Sequence, residues 1–339
     1  MTSDISISKI IFGTSSLGNL YTALDDSIKL EIVKQIIQHS PKPAVFDSAG
    51  KYGAGLALES LGKALHELQI KPEDVLISNK LGWYRTELKT PEPTFEPGVW
   101  RDLKYDAVQK ISYEGILACY EQGNQLLHGY NAQLVSVHDP DEYLAAAENE
   151  AEREKRYQDV LDAYRALAEL KQQGRVKAIG VGAKDWTIIR KITDDIHLDW
   201  VMIANSMTLH SHPKDLLKYM QSLQERGIMI INSAVFNAGF LIGGNYYNYK
   251  EIDPESDHDQ ALLKWRERFF ALCDKHAIKP AEACVQFGLS APGVVSIALS
   301  TTNAGRVKQN VAMGHTKVPN TFWQDMKAGG LMDSSYNYV

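Results

Sequence analysis

The stretch Ala44-Val-Phe-Asp47-Ser-Ala-Gly-Lys-Tyr52-Gly53 decides the fold, together with the helical segment over 55–68 and the run Val75-Leu-Ile-Ser78 that follow it. A short apolar run, a small-residue connection, a helical segment and a second apolar run make one strand–helix–strand crossover. The same theme extends in both directions. Strands are expected at 9–12, 44–46, 75–78, 133–137, 178–181, 200–203, 228–231 and 294–298. Helices are expected over 27–39, 55–68 and 113–127, then in a segment where Val160, Tyr164, Leu167 and Ala168 fall on one face, ending near Gly174. Further helices are expected near Trp186, Leu216, Leu263 and Val307. Eight strands alternating with eight helices predict an α/β protein with a (β/α)8 TIM barrel. A doubly wound open sheet is the alternative, but Phe12-Gly-Thr-Ser-Ser-Leu-Gly18 lacks the glycine spacing of a dinucleotide-binding first turn. No linker, repeat or low-complexity tract divides the chain, so residues 1–339 are expected to form a single domain, with long loops over 83–106 and 240–258.

Composition narrows the function. The chain of 339 residues carries 36 Lys and Arg against 42 Asp and Glu, and neither sign clusters, so a nucleic-acid partner is not expected. No apolar run reaches the ~20 residues of a membrane helix. Residues 1–8 do not have the basic and apolar segments of a secretory signal. Cys119, Cys273 and Cys284 are too dispersed for a disulfide framework or a cysteine metal site. A cytoplasmic protein acting on a small molecule is expected.

Chemistry in a barrel sits at the C-terminal ends of its strands. Three strand ends carry ionisable groups: Asp47 after Val45-Phe46, Lys80 after Ser78-Asn79, and His138-Asp139 after Val137. Tyr52 lies in the loop after Asp47. An acid, a lysine, a tyrosine and an imidazole converging on one mouth form a proton-handling set, in which the ammonium favours phenolate and the carboxylate holds the ammonium.

Asp47-Ser-Ala-Gly-Lys-Tyr52-Gly, Ser-Asn-Lys80 and Val-His138-Asp resemble the active-site tetrad of the aldo-keto reductases. Pro97-Gly-Val-Trp100, Ile111-Ser-Tyr-Glu-Gly115, His138-Asp-Pro-Asp141 and Ala163-Tyr-Arg-Ala-Leu-Ala-Glu-Leu170 resemble, more narrowly, the group of D-threo-aldose 1-dehydrogenases, L-fucose and L-galactose dehydrogenases and relatives of pyridoxal 4-dehydrogenase. The resemblance implies catalysis by Asp47, Tyr52, Lys80 and His138. It also implies NAD or NADP laid across the mouth, held by Gly13, Thr14, Asn205, Ser233, Phe236, Asn237, Gly239, Ser300, Thr301, Thr302, Arg306, Gln309 and Asn310. Ser300 stands where NADP-preferring relatives usually have lysine, while Arg306 matches an arginine for the 2′-phosphate, so both dinucleotides stay open. Gly182-Ala183-Lys184-Asp185 replaces the family's Ser-Asn after the fifth strand, and Ser233 replaces an aromatic platform.

The implied reaction is oxidation of an aldose at its anomeric carbon to a lactone. Trp83 and Trp100 are expected at the substrate, where an indole face packs on a sugar ring and its N–H donates a hydrogen bond, or else pins the loop to the barrel. Aldehyde reduction by NADPH and a pyridoxal 4-dehydrogenase-like reaction are the alternatives within the fold. Outside it stand a binding protein on an inactive barrel and a metal-dependent hydrolase using His210-x-His212. The run Gly243-Gly-Asn-Tyr-Tyr-Asn-Tyr249 is either a lid or a surface loop.

Overall fold

The computed structural model describes residues 5–339; residues 1–4 of the amino-terminal stretch lie outside it. The chain runs β1 (Ile10–Gly13), α1 (Asp26–His39), β2 (Ala44–Ala49), α2 (Leu56–Glu67), β3 (Val75–Leu81), β4 (Trp83–Glu87), β5 (Tyr105–Gln109), α3 (Tyr113–Leu126), β6 (Leu134–His138) and α4 (Pro140–Ala145). It continues through α5 (Glu150–Gln172), β7 (Ala178–Ala183), α6 (Trp186–Asp195), β8 (Trp200–Ala204), α7 (Lys214–Glu225), β9 (Met229–Ser233), β10 (Tyr246–Tyr247) and β11 (Lys250–Glu251). The last elements are α8 (Asp257–Lys275), α9 (Pro280–Ser290), β12 (Val294–Leu299), α10 (Val307–Met313) and α11 (Asn320–Ala328). Strands β1, β12, β9, β8, β7, β6, β3 and β2 close, in that order, into a parallel barrel.

Every residue of β2, β3, β6 and β7 is buried, because helices cover the outside and side chains fill the inside. That two-sided burial gives continuous apolar runs rather than alternation. Three helices start where a polar side chain satisfies a free N–H group: Ser112 accepts from Gly115 at α3, Asn149 from Glu152 at α5, and Asp185 from Thr187 at α6. Inside the barrel, Ile11, Val45, Leu76, Leu134, Ala178, Trp200, Met202 and Ile231 form a packed floor. Among the described residues no helix is long and apolar enough to cross a membrane.

Several expectations need correction. Asp47, Lys80 and His138 are the last residues or near-last residues of their strands rather than the first residues beyond them, because each strand runs further than its apolar core. The segment expected as a loop over 83–106 is the body of an antiparallel hairpin, β4 with β5, paired from Trp83 opposite Gln109 to Glu87 opposite Tyr105. The loop over 240–258 contains a short 3-10 turn and the small hairpin β10–β11. Helices α4, α9 and α11 add to the eight expected.

The floor imposes a steric limit. Gly180 on β7 pairs with Trp200 on β8, and a Cβ at Gly180 would sit 2.3 Å from the indole ring. Gly180→Ala should therefore cost about 1–3 kcal/mol through overpacking. A lowered urea midpoint with native secondary structure is the expected result, and an unchanged midpoint would show that the indole repacks freely.

Candidate active site

The site is built from strand ends held in register. Ala49 pairs with Lys80 across β2 and β3, Leu81 pairs with Val137 across β3 and β6, and His138 pairs with Gly182 across β6 and β7. Asp47, Lys80 and His138 are therefore brought to one rim. Lys80 Nζ donates to Asp47 Oδ2 at 2.5 Å and to the Ser48 carbonyl at 3.4 Å, and both ionic side chains are about 5 % exposed or less. Charges this far from water persist only when paired. Burial acts to lower the Lys80 pKa, but Asp47 and Tyr52 outweigh it and hold the ammonium above its ordinary range.

Tyr52 comes from the β2–α2 loop, where its N–H donates to the Ala49 carbonyl. Lys80 Nζ lies 4.9 Å from the centre of its ring, and the ring meets His138 edge-on at 5.5 Å and 83°. Burial pushes the phenol up to about 12, with Lys80 pulling it down and Asp47 and Asp139 pushing it further up. The sequence argument from the lysine alone pointed the other way; the missing quantity was desolvation. Burial, then Lys80, Lys51 and Lys184, hold the His138 pKa well below its ordinary value, so the imidazole is neutral. Its Nδ1 is buried without a partner and its Nε2 lies 3.6 Å from Asp139 Oδ2. At neutral pH the rim thus presents a phenol, a neutral imidazole and a buried ion pair. A phenol beside an ammonium can give or take a proton, and the imidazole can bind a ligand oxygen.

The neighbouring rim is formed by the residues expected to hold a dinucleotide. Gly13 pairs with Asp47, and Thr14 donates to the Asp47 carbonyl through its N–H at 2.9 Å and its hydroxyl at 3.2 Å. Ser300 Oγ lies 3.3 Å from Ser15 Oγ, and Ser16 Oγ donates to the Thr301 carbonyl, which ties the loops after β12 and β1 together. Asn205 has a left-handed backbone (φ 61°), donates its N–H to the Ser233 carbonyl, and keeps its side-chain oxygen buried without a partner. Ser233 is the last residue of β9, and Gly239 opens the 3-10 turn Phe240–Ile242. Phe236 packs across the two larger apolar clusters, and Asn237 is buried and donates to Asn248. Thr302, Arg306 and Gln309 are exposed and Asn310 is half-buried. Gly182, where the family pattern has a larger polar residue, leaves room for Lys80: a Cβ there would lie 3.3 Å from Lys80 Cδ.

Trp83 and Trp100 both belong to the hairpin. Trp83 packs on Phe95 and its indole N–H is buried without a partner. Trp100 lies 5.8 Å from the Tyr52 ring, and its N–H is given to Glu96 Oε2 at 2.7 Å, so of the two roles expected of this indole its N–H takes the internal one. Tyr246 of the small hairpin stacks on Tyr21, and Lys184 lies over Tyr249, so this hairpin spans the mouth from the β1 loop to the β7 loop. His212 uses both ring nitrogens internally, Nδ1 toward the Thr208 carbonyl and Nε2 from the Asp333 N–H, which leaves no lone pair for the hydrolase's metal ion. His210 Nδ1 contacts the Tyr247 hydroxyl. Sequence reasoning named Asp139 at its strand end and Lys184 in the run after the fifth strand but gave no role to them, to Lys51 or to Glu96, whose charges surround the tetrad; a lysine inside the small-residue run before Tyr52 was the signal for Lys51.

A family model described as "Aldo/keto reductase family" matches residues 9–329. The chain belongs to the aldo/keto reductase family. Members of this family are oxidoreductases that use nicotinamide cofactors. Over 97% of its length, aligned with 95% of each relative, the chain is 26% identical to a pyridoxal 4-dehydrogenase of Microbacterium luteolum and 25% identical to a D-threo-aldose 1-dehydrogenase of a Pseudomonas species. Two solved structures share its fold at TM-score 0.70: an aldo-keto reductase from Bacillus halodurans, 17% identical over 99% of this chain and 96% of that one, and a glycerol dehydrogenase from Gluconobacter oxydans, 16% identical over 99% and 97%.

The neutral state of His138 can be read directly. In a 15N-histidine NMR titration from about pH 8 to 5.5, the His138 imidazole should keep its neutral chemical shifts. A midpoint near the ordinary histidine value would contradict the electrostatics described.

Proposed function

We propose that this aldo/keto reductase oxidises the cyclic form of an aldose at its anomeric carbon, giving a lactone and a reduced nicotinamide dinucleotide. The observation that carries the reading is the contact of Lys80 with both Asp47 and the Tyr52 ring beside a neutral His138. The unpartnered Asn205 oxygen is complementary to a carboxamide N–H, which fits a nicotinamide at this rim. Ser300, Thr301 and Arg306 would hold the phosphate end, with Gly13, Thr14 and Ser233 bordering the slot. When bound, the nicotinamide supplies the hydride acceptor.

Within this reading Tyr52 takes the proton of the anomeric hydroxyl as C1 loses its hydride. Lys80 stabilises the Tyr52 phenolate that accepts this proton and so becomes the neutral phenol, Asp47 fixes the ammonium, and neutral His138 orients the sugar oxygen. Both named relatives are dehydrogenases, and aldoses and pyridoxal alike can close to hemiacetals, so the reading extends to a pyridoxal-type hemiacetal as the second candidate. Arg306 without a lysine at 300 favours acceptance of NAD, with NADP use resting on Arg306.

Tyr52→Phe should reduce kcat/KM for the best sugar by ~10²–10⁴-fold. Because the free phenol ionises only near 12, the wild-type oxidative kcat/KM should climb with pH through the neutral and mildly alkaline range, while aldehyde reduction, which needs the protonated phenol, should not. Initial rates with L-fucose and NAD or NADP across that range check both statements. Near-wild-type turnover by Tyr52→Phe would exclude the proposed role.

A further inference from the structure

We propose that Lys51 and Glu96 are positioning residues that latch the β4–β5 hairpin to the Tyr52 loop and hold Trp100 against the Tyr52 ring, thereby setting sugar binding rather than proton transfer. This inference rests on the reading of Tyr52 given above. Lys51 directly precedes Tyr52 and is 4% exposed, so its ammonium must be paired where it stands. Three carboxylates supply partners: Glu96 Oε1 at 2.8 Å, Glu142 Oε2 at 3.1 Å and Asp139 Oδ2 at 3.4 Å. Asp139 and Glu142 belong to the end of β6 and to α4, on the barrel itself. Glu96 comes from the hairpin, and so its contact joins two separate parts of the mouth, beside the Arg85 contacts of β4 with the Ala54 carbonyl and with Glu59 of α2.

Glu96 uses both oxygens. While Oε1 accepts from Lys51, Oε2 accepts from the Trp100 indole N–H at 2.7 Å. Trp100 is 7% exposed, and its ring lies 5.8 Å from Tyr52 at an interplanar angle of 34°. The Tyr52 ring packs against a small core shared between Ala54 of its own loop and Phe95, Trp100 and Ala107 of the hairpin. The backbone of Glu96 is left-handed (φ 44°), a conformation that disfavours a residue with a side chain and that persists when surrounding contacts demand it. The side-chain fork between Lys51 and Trp100 is such a demand. Without it, the indole would lose its side-chain acceptor and the hairpin its ion pair with Lys51, while the Arg85 contacts and the Lys80–Asp47 pair would be untouched.

The test compares Glu96→Ala, Glu96→Gln and Trp100→Phe in the full-length enzyme, with steady-state kinetics on the best sugar and intrinsic tryptophan emission. Glu96→Ala should raise KM by about tenfold or more and leave kcat within about threefold, since charge-assisted hydrogen bonds are lost away from the reacting atoms. Its emission should shift to the red, and the shift should vanish when Trp100→Phe is added. Glu96→Gln, whose single amide oxygen can still accept from the indole but whose NH2 cannot accept from Lys51, should recover the emission and only part of the KM. Unchanged emission in Glu96→Ala, a fall in kcat at constant KM, or equal behaviour of the Ala and Gln variants would overturn the latch. The emission measurement needs no substrate, so it still decides the latch if Tyr52→Phe shows that the chemistry has been misread.

Discussion

The contact between Lys80 and Asp47 governs the rest of the mouth. Two opposite charges removed from water on adjacent strands are tolerable only at hydrogen-bonding distance, and the parallel register of β2 and β3 delivers that distance. Once the ammonium is fixed, its neighbours are constrained. Tyr52 lies against it, His138 is held neutral partly by it, and Gly182 packs close to its stem, where a Cβ would lie 3.3 Å from Lys80 Cδ. The barrel contributes rigidity: Asp47, Lys80 and His138 stand on strand ends over an apolar floor that includes Trp200, so their separations do not depend on loop conformation, while Tyr52 is placed by the short loop after β2.

Specificity has a different physical basis. The walls beside Tyr52 come from segments added to the barrel, the β4–β5 hairpin and the small hairpin that reaches from Tyr21 to Lys184. These are attached through ionic and aromatic contacts, a single backbone bridge between Leu20 and Trp100 and a few hydrogen bonds rather than through the barrel's strand register. The two relatives, each about a quarter identical to this chain, bear different substrate names.

What was legible in the sequence follows the same division. Buried parallel strands such as 75–78 and 178–181 show as apolar runs, and the chemistry at their ends is visible because strand order alone brings Asp47, Lys80 and His138 together. The hairpin was read as a loop because Trp83–Glu87 and Tyr105–Gln109 are half-exposed, mix polar with apolar residues, and are separated by Pro91, Pro93 and Pro97. Its pairing is fixed by tertiary packing, not by local pattern. The pairing of Lys51 with Glu96 was equally hidden, since sequence does not specify which distant acid meets a buried lysine. The direction of the Tyr52 shift depended on burial, a quantity that residue types alone do not supply.

Hydride transfer from the anomeric carbon is the central claim, and isotopic labelling tests it most directly. The enzyme would be incubated with L-fucose or a related aldose carrying deuterium at C1, and the reduced dinucleotide analysed by mass spectrometry alongside the sugar product. The account predicts one deuterium in the nicotinamide, a lactone as product and a slower rate with the labelled sugar when hydride transfer limits turnover. Oxidation that leaves the nicotinamide unlabelled, or turnover confined to aldehyde reduction across the aldose panel, would contradict it.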